Sequence, residues 1–163
     1  NLYSKRKLET ENKLLSQNNF RSIILRINAP YGEYQKANTV LKIFVEKALA
    51  NEVIKYHGTG SRQQDFTHVN DIADAVLDCL KYTGTNDIFN ISAGKPVSMK
   101  QLAEIILSLV PASASKIENS GLADSQENYR ALFDISKAKN KLNWEPRISL
   151  EEGISKLINH LQN

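Results

Sequence analysis

The sequence predicts an α/β fold, and three observations carry that reading. Short apolar stretches rich in β-branched residues, Arg21-Ser22-Ile23-Ile24-Leu25-Arg26-Ile27 and Asp87-Ile88-Phe89-Asn90-Ile91, have the character of buried strands. Longer segments space their apolar residues three and four apart, as Val40, Leu41, Phe44, Val45, Ala48 and Leu49 do, which marks amphipathic helices. The two kinds alternate along the chain, the order that builds a sheet covered by helices. At 163 residues there is room for one ordinary domain.

The chain opens as a helix, because LYSKRKLETENKLLSQ sets Leu8, Leu14 and Leu15 among strong helix formers. Gln17-Asn18-Asn19 breaks it, and the 21–27 stretch follows as a strand buried on both faces of a parallel sheet. Ala29-Pro30-Tyr31-Gly32 is a loop, the periodic pattern predicts a helix over 38–50, and 52–57 reads as a short strand. Gly58-Thr59-Gly60-Ser61 is a turn. Residues 65–69 alternate as a strand, and Asn70 is a suitable N-cap for a helix over 71–82. After the 87–91 strand, Ser98 with Gln101 gives the spacing of a capping box on a helix through 110. Residues 111–128 lack periodicity and cross the surface, with one short strand near 116–118. Ser136 begins a short helix ending near Leu142, and Ser149 with Glu152 begins a second capping-box helix that runs to about 161.

Composition excludes several classes. The chain is 41% hydrophobic and 24% charged, and no apolar run approaches the roughly 18 residues of a membrane span. The net charge of +3 is small, with basic residues scattered among 18 acidic ones, so no basic stripe points to nucleic acid. A single cysteine, Cys79, sits at an apolar helical position; it permits no internal disulfide, and a reducing cytoplasm is the expected location. The only methionine is Met99 and no secretory signal opens the sequence, so the chain reads as a piece of a longer protein.

Most motif tests fail. The glycines of GTGSRQQD lack the third glycine of a dinucleotide fingerprint, since Gln63 stands there and a strand follows rather than a helix. His57, His68 and His160 lie in different elements without metal-ligand spacing, and no G-x-S-x-G elbow marks a hydrolase. Tyr3 and Lys7 remain. Four residues apart on a helix, their side chains leave the same face, so an ammonium can stand beside a phenol. A free phenol titrates near pH 10 and a neighbouring cation favours its ionised form, which suits general acid/base work; a charged helix surface would show the same spacing.

Five stretches supply context for that pair: YSKRK with Glu11 at the next turn, LRINAPYG, GTGSRQQDFTHVNDIADA, FNISAGKPVSMKQLAEII and FDISKAKNKLNWEPRISLEEGI. In this order they resemble the C-terminal half of an NAD(P)-dependent sugar epimerase/dehydratase, an extended short-chain dehydrogenase/reductase, across nearly the whole chain. The resemblance implies a fragment comprising the last elements of a Rossmann-type sheet plus the small α/β substrate-binding domain. Residues 1–32 and about 84–96 would be remnants of the dinucleotide-binding domain; about 33–83 and 97–163 would be mainly substrate-binding domain and surrounding helices. Tyr3 would exchange a proton with a sugar hydroxyl during hydride transfer, and Lys7 would favour the phenolate and hydrogen-bond the nicotinamide ribose of NAD or NADP.

The resemblance further implies a nucleotide-linked sugar as substrate, a homo-oligomer, and catalysis by the parent enzyme rather than by this piece alone. Asp65, Phe66, His68, Asp71 and Trp144-Glu145-Pro146 are family hallmarks expected to serve packing and capping. Two departures bear on the substrate. Ala29 stands where nucleotide-sugar enzymes usually carry Asn, with Asn28 beside it as the expected substrate contact, and Gln64 stands where they tend to carry Arg. Arg62 points the same way along a strand and could serve as the phosphate clamp, with Arg130 as a further substrate contact. The second class of function is a non-catalytic module, derived from the same fold, that binds a sugar nucleotide or a protein.

Overall fold

The computed structural model describes residues 2–163; Asn1, the first residue of the expected cofactor-side segment, lies outside them. Helix α1 (Leu2–Leu15) leads to strand β1 (Ile23–Ile27) and the two-residue β2 (Pro30–Tyr31). Then come α2 (Val40–Leu49), β3 (Ile54–Tyr56), β4 (Gln63–Gln64), β5 (Thr67–His68) and α3 (Val69–Lys81). The chain continues through β6 (Asp87–Ile91), β7 (Val97–Ser98), α4 (Met99–Leu109), β8 (Ile117–Asn119), α5 (Ser136–Leu142) and α6 (Leu150–Gln162). The expected α/β class holds.

Pairing is by twos. β1 runs parallel to β6 with Ile23 opposite Asp87 and Ile27 opposite Ile91. β2 pairs parallel with β5, β3 parallel with β8, and β4 antiparallel with β7. Parallel neighbours require crossovers, and the helices supply them. Two apolar clusters result. Leu41, Phe44 and Val45 of α2 meet Leu102 and Ile106 of α4 and Ile154 and Leu157 of α6 in the larger one. In the smaller, Ala75 and Cys79 of α3, Phe89 and Ile91 of β6, and Ala138 and Leu142 of α5 close around Trp144. The cores therefore group α3 and α5 with β1 and β6.

Three expectations need correction. The 21–27 strand is not buried on both faces: β1 is half-buried at Ile23, Ile24 and Leu25 and exposed at Arg26 and Ile27, because β6 is its one partner among the described residues. Asn70 does not cap α3. The helix starts at Val69, and the imidazole of His68 takes the N-cap role, its Nδ1 accepting from the Asn70 amide at 3.2 Å. The capping box of α4 forms in both directions between Ser98 and Gln101. On α6 only the forward half is made: Ser149 Oγ accepts from the Glu152 amide, while the Glu152 carboxylate turns to Lys156 at 2.8 Å.

Two buried carboxylates fix the loops between these elements. Asp65 accepts from Ser92 Oγ at 2.5 Å and from the Gly94 amide at 2.8 Å. Asp71, in the first turn of α3, accepts from the Arg147 and Ile148 amides at 3.0 and 3.2 Å, while its carbonyl takes the Trp144 indole N–H at 2.8 Å. Buried acceptors of this kind satisfy backbone donors that no strand or helix provides for.

Candidate functional site

In open parallel sheets, ligands sit beyond the carboxyl ends of the strands. A cavity of about 650 Å³ starts there: Ala29 and Tyr31, directly after β1, form one wall, and Val40, Arg62, Gln64 and Phe66 close it. Its size is that of a small-molecule site. Two residues of its lining hold left-handed backbone, Ala29 at φ 35° and Tyr34 at φ 62°. Neither is glycine, and non-glycine residues in that region cluster at ligand sites.

The buried side of this loop is built from aromatic rings. Tyr31 meets Phe66 and His68 edge-on at centroid distances of 6.3 and 5.3 Å. Gly153 of α6 lies so close to Tyr31 and His68 that a side chain there would collide with both. Burial first, then the carboxylates of Asp71, Glu151, Glu152 and Glu33, push the Tyr31 phenol far above its ordinary value. It stays a neutral packing group. His68, its Nδ1 committed as acceptor, presents Nε2 to the Glu33 carboxylate at 3.2 Å. That approach has the distance of an ion pair without hydrogen-bond alignment, so Nε2 is buried and incompletely satisfied.

The residues singled out from the sequence are distributed as follows. Tyr3 and Lys7 leave one face of α1, with Lys7 Nζ 5.6 Å from the centre of the Tyr3 ring, within cation–π range, and Tyr3 is 69% exposed. One turn on, Glu11 binds Arg26 of β1 through both oxygens, at 2.9 and 2.5 Å, which anchors the middle of α1 to the sheet. That guanidinium, through its hydrogen bond and its charge, holds the Glu11 carboxyl below its usual value. Asn28 gives its side-chain N–H to the Asp65 carbonyl at 2.8 Å, a loop tie beside the cavity. Arg62 lines the cavity and pairs with Asp124 at 2.8 Å. Arg130 is exposed and donates to the carbonyls of Glu127 and Tyr129. The structure thus brings Arg62 to the cavity and leaves Arg130 outside its lining. Glu33, Tyr34 and Gln35 line it too and escaped the sequence reading; their position just after a parallel strand was the available signal. No group of three or more potential metal ligands occurs among the described residues, and no helix there is long and apolar enough to cross a membrane.

Comparison with known proteins decides the family. Residues 1–92 match the model of the NAD dependent epimerase/dehydratase family. The chain belongs to that family. Among relatives, UDP-glucuronate 4-epimerase of Thermodesulfobacterium geofontis is 35% identical over 138 residues, which are 83% of this chain and 42% of that protein. The dTDP-4-dehydro-6-deoxyglucose reductase of Escherichia coli is 31% identical over 152 residues, 88% of this chain and 46% of that protein. The crystal structure of Thermotoga maritima UDP-glucose 4-epimerase with UDP-glucose superposes with a TM-score of 0.85 at 28% identity, covering 96% of this chain and 52% of the other. The chain thus spans about half the length of the relatives it matches.

The family is one of NAD dependent epimerases and dehydratases, and solved structures of the same fold include complexes with NAD and with NADPH. The residues present here fit one end of such a dinucleotide. Tyr3 and Lys7 offer a phenol and an ammonium on one exposed helix face, suited to the nicotinamide and its ribose. A glycine-rich loop for the diphosphate is not in the sequence.

Proposed function

We propose that this chain forms the catalytic and substrate-binding part of an NAD(P)-dependent epimerase, dehydratase or reductase acting on a nucleotide-linked sugar. The observation that carries the reading is the Tyr3–Lys7 pair on one exposed face of α1 in a chain of this family. When bound, the nicotinamide supplies the ring that exchanges hydride with the sugar. Tyr3 Oη is the group that exchanges a proton with the sugar hydroxyl, and the Lys7 ammonium stands beside its ring on the same helix face. Residues 1–32 and 84–96 lie on the cofactor side of this arrangement, and the large cavity takes the substrate.

The test uses the polypeptide that joins this chain to a dinucleotide-binding half. Tyr3→Phe keeps the ring and removes the ionisable oxygen, so turnover falls by about 10² to 10⁴, the usual scale for losing a general acid/base. Lys7→Met lowers turnover and weakens cofactor binding, whereas Lys5→Met on another face of the helix does neither. A Tyr3→Phe protein that turns over near the parental rate overturns the reading and leaves a binding module in its place.

A further inference from the structure

Arg62 borders two cavities at once. It lines the large one with Tyr31, Gln64 and Phe66, and a second of about 300 Å³ with Phe44, Tyr56 and Met99. Its backbone is fixed, because its carbonyl accepts from the Met99 amide at 3.0 Å and the next amide, Gln63, donates to the Tyr129 carbonyl at 3.0 Å. A guanidinium at the junction of two cavities suits a ligand with an anionic middle and an uncharged group at either end.

That guanidinium is engaged by the chain itself. Arg62 Nε donates to Asp124 Oδ2 at 2.8 Å, and both side chains are largely shielded, at 22% and 11% exposure. Among the described residues its two Nη groups make no hydrogen bond. Asp124 belongs to a strap that runs from β8 back to β4 and is pinned on either side. Gly58 donates its amide to the Leu122 carbonyl at 2.8 Å. Glu127 lies over the 58–61 turn, where its carboxylate accepts from the Thr59 amide at 3.1 Å, from the Thr59 hydroxyl, and from Ser61 Oγ at 2.7 Å. Those hydrogen bonds, the Thr59 hydroxyl first, hold the Glu127 carboxyl below its usual value. The strap therefore sets a carboxylate on the one arginine that faces both cavities.

We propose that Asp124 is a specificity-determining residue: it occupies the anion position on Arg62, and a phosphate-bearing ligand binds by exchanging its phosphate for this carboxylate. The inference rests on the reading that the cavities take a nucleoside-diphosphate-linked molecule, and it explains how the site works without the arginine replaced by Gln64. The exchange makes the site selective. A singly anionic or neutral ligand gains little by displacing an ion pair, whereas a diphosphate carries enough charge to replace it and can reach the Nη groups as well.

The experiment is calorimetric titration of the chain with inorganic pyrophosphate and, separately, with UDP-glucose. Asp124→Asn keeps the size and the acceptor for the Gln126 amide, which lies 2.8 Å from Oδ1. It should tighten pyrophosphate binding by about five- to tenfold, the ratio set by releasing one partly shielded ion pair, and the gain should shrink as salt is added. Adding Arg62→Gln to Asp124→Asn should abolish the gain. Glu118→Gln makes the same change in net charge on exposed β8 and should leave the affinity unchanged. The proposal is overturned if Asp124→Asn binds pyrophosphate no more tightly than the parent, if neither protein binds it, if Glu118→Gln gains as much, or if the gain survives the loss of Arg62. A pyrophosphate gain with UDP-glucose binding no better than pyrophosphate supports the exchange at Arg62 and removes the nucleotide-sugar reading instead.

Discussion

Replacing Asp71 with alanine tests a buried link between two elements. Asp71 is 2% exposed, and its carboxylate receives the Arg147 and Ile148 amides at 3.0 and 3.2 Å, joining the start of α3 to the stretch that leads into α6. Removing it strands two partly buried N–H groups, each charge-assisted bond being worth about 1.5–3 kcal/mol, and deletes an acid from the first turn of a helix, worth about 0.3–1 kcal/mol. Relief of carboxylate desolvation offsets part of this, leaving a net loss of about 3 kcal/mol. For a chain of this length, each kcal/mol lowers the melting temperature by about 2–4 °C, so the variant should melt about 6–12 °C below the parent. Thermal unfolding followed by circular dichroism measures this. Asp71→Asn, which keeps one acceptor oxygen, should fall between, and Asp74→Ala at an exposed position of the same helix should change little. Native-state hydrogen exchange should speed up first at the Arg147 and Ile148 amides. The reasoning is refuted if Asp71→Ala melts within 2 °C of the parent, or if Asp74→Ala is as damaging.

Three other outcomes are expected. Burial alone would raise the Asp87 carboxyl, but Lys137, the Ile88 amide, Tyr82 and Lys141 outweigh it and hold the carboxyl well below the carboxylate range. A depressed folded-state value contributes stability that is complete above the unfolded pKa of about 4 and is lost as pH falls below it. Unfolding free energies of the parent and Asp87→Asn from denaturant titration should therefore differ by on the order of 1 kcal/mol at neutral pH and converge in acid; a constant gap down to pH 2 would contradict this. Cys79 is buried, and burial followed by the Asp78 charge pushes its thiol up, so it should resist alkylation at pH 8 until the chain is unfolded; rapid native-state labelling would argue against the packing around Phe89. Because Leu2, Leu8 and Leu14 of α1 and Leu77 and Leu80 of α3 are exposed, the average mass in analytical ultracentrifugation should rise with concentration, and a monomer at high concentration would refute self-association.

The larger elements were legible because periodicity and caps act locally. The apolar spacing of α2 and the reciprocal Ser98–Gln101 box of α4 could be read directly from neighbouring residues. Two-residue pairings such as β2 with β5 and β4 with β7 carry no period, since docking rather than propensity creates them. The start of α3 was misplaced because an imidazole fills the role usually held by Asn, Ser or Asp. The nearness of Tyr3 and Lys7 on one helix face was visible through their four-residue spacing. The Arg62–Asp124 pair joins residues 62 apart in the chain, and no spacing rule reaches that far. Nor could composition reveal left-handed backbone at Ala29 and Tyr34, residue types that seldom adopt it.

Helix α1 buries none of its described side chains. A lone helix of about this length is marginal in water, and the ties that fasten α1 include the Glu11–Arg26 link, the Ser22 hydroxyl on the Leu14 carbonyl and the side-chain amide of Asn86 on the Leu15 carbonyl. Its opening free energy therefore lies near the bottom of the range within the molecule, while the Trp144 core lies near the top. Tyr3 and Lys7 ride on the element that frays first. Any surface that covers the apolar side of α1 would then set the fraction of molecules in which phenol and ammonium stand together.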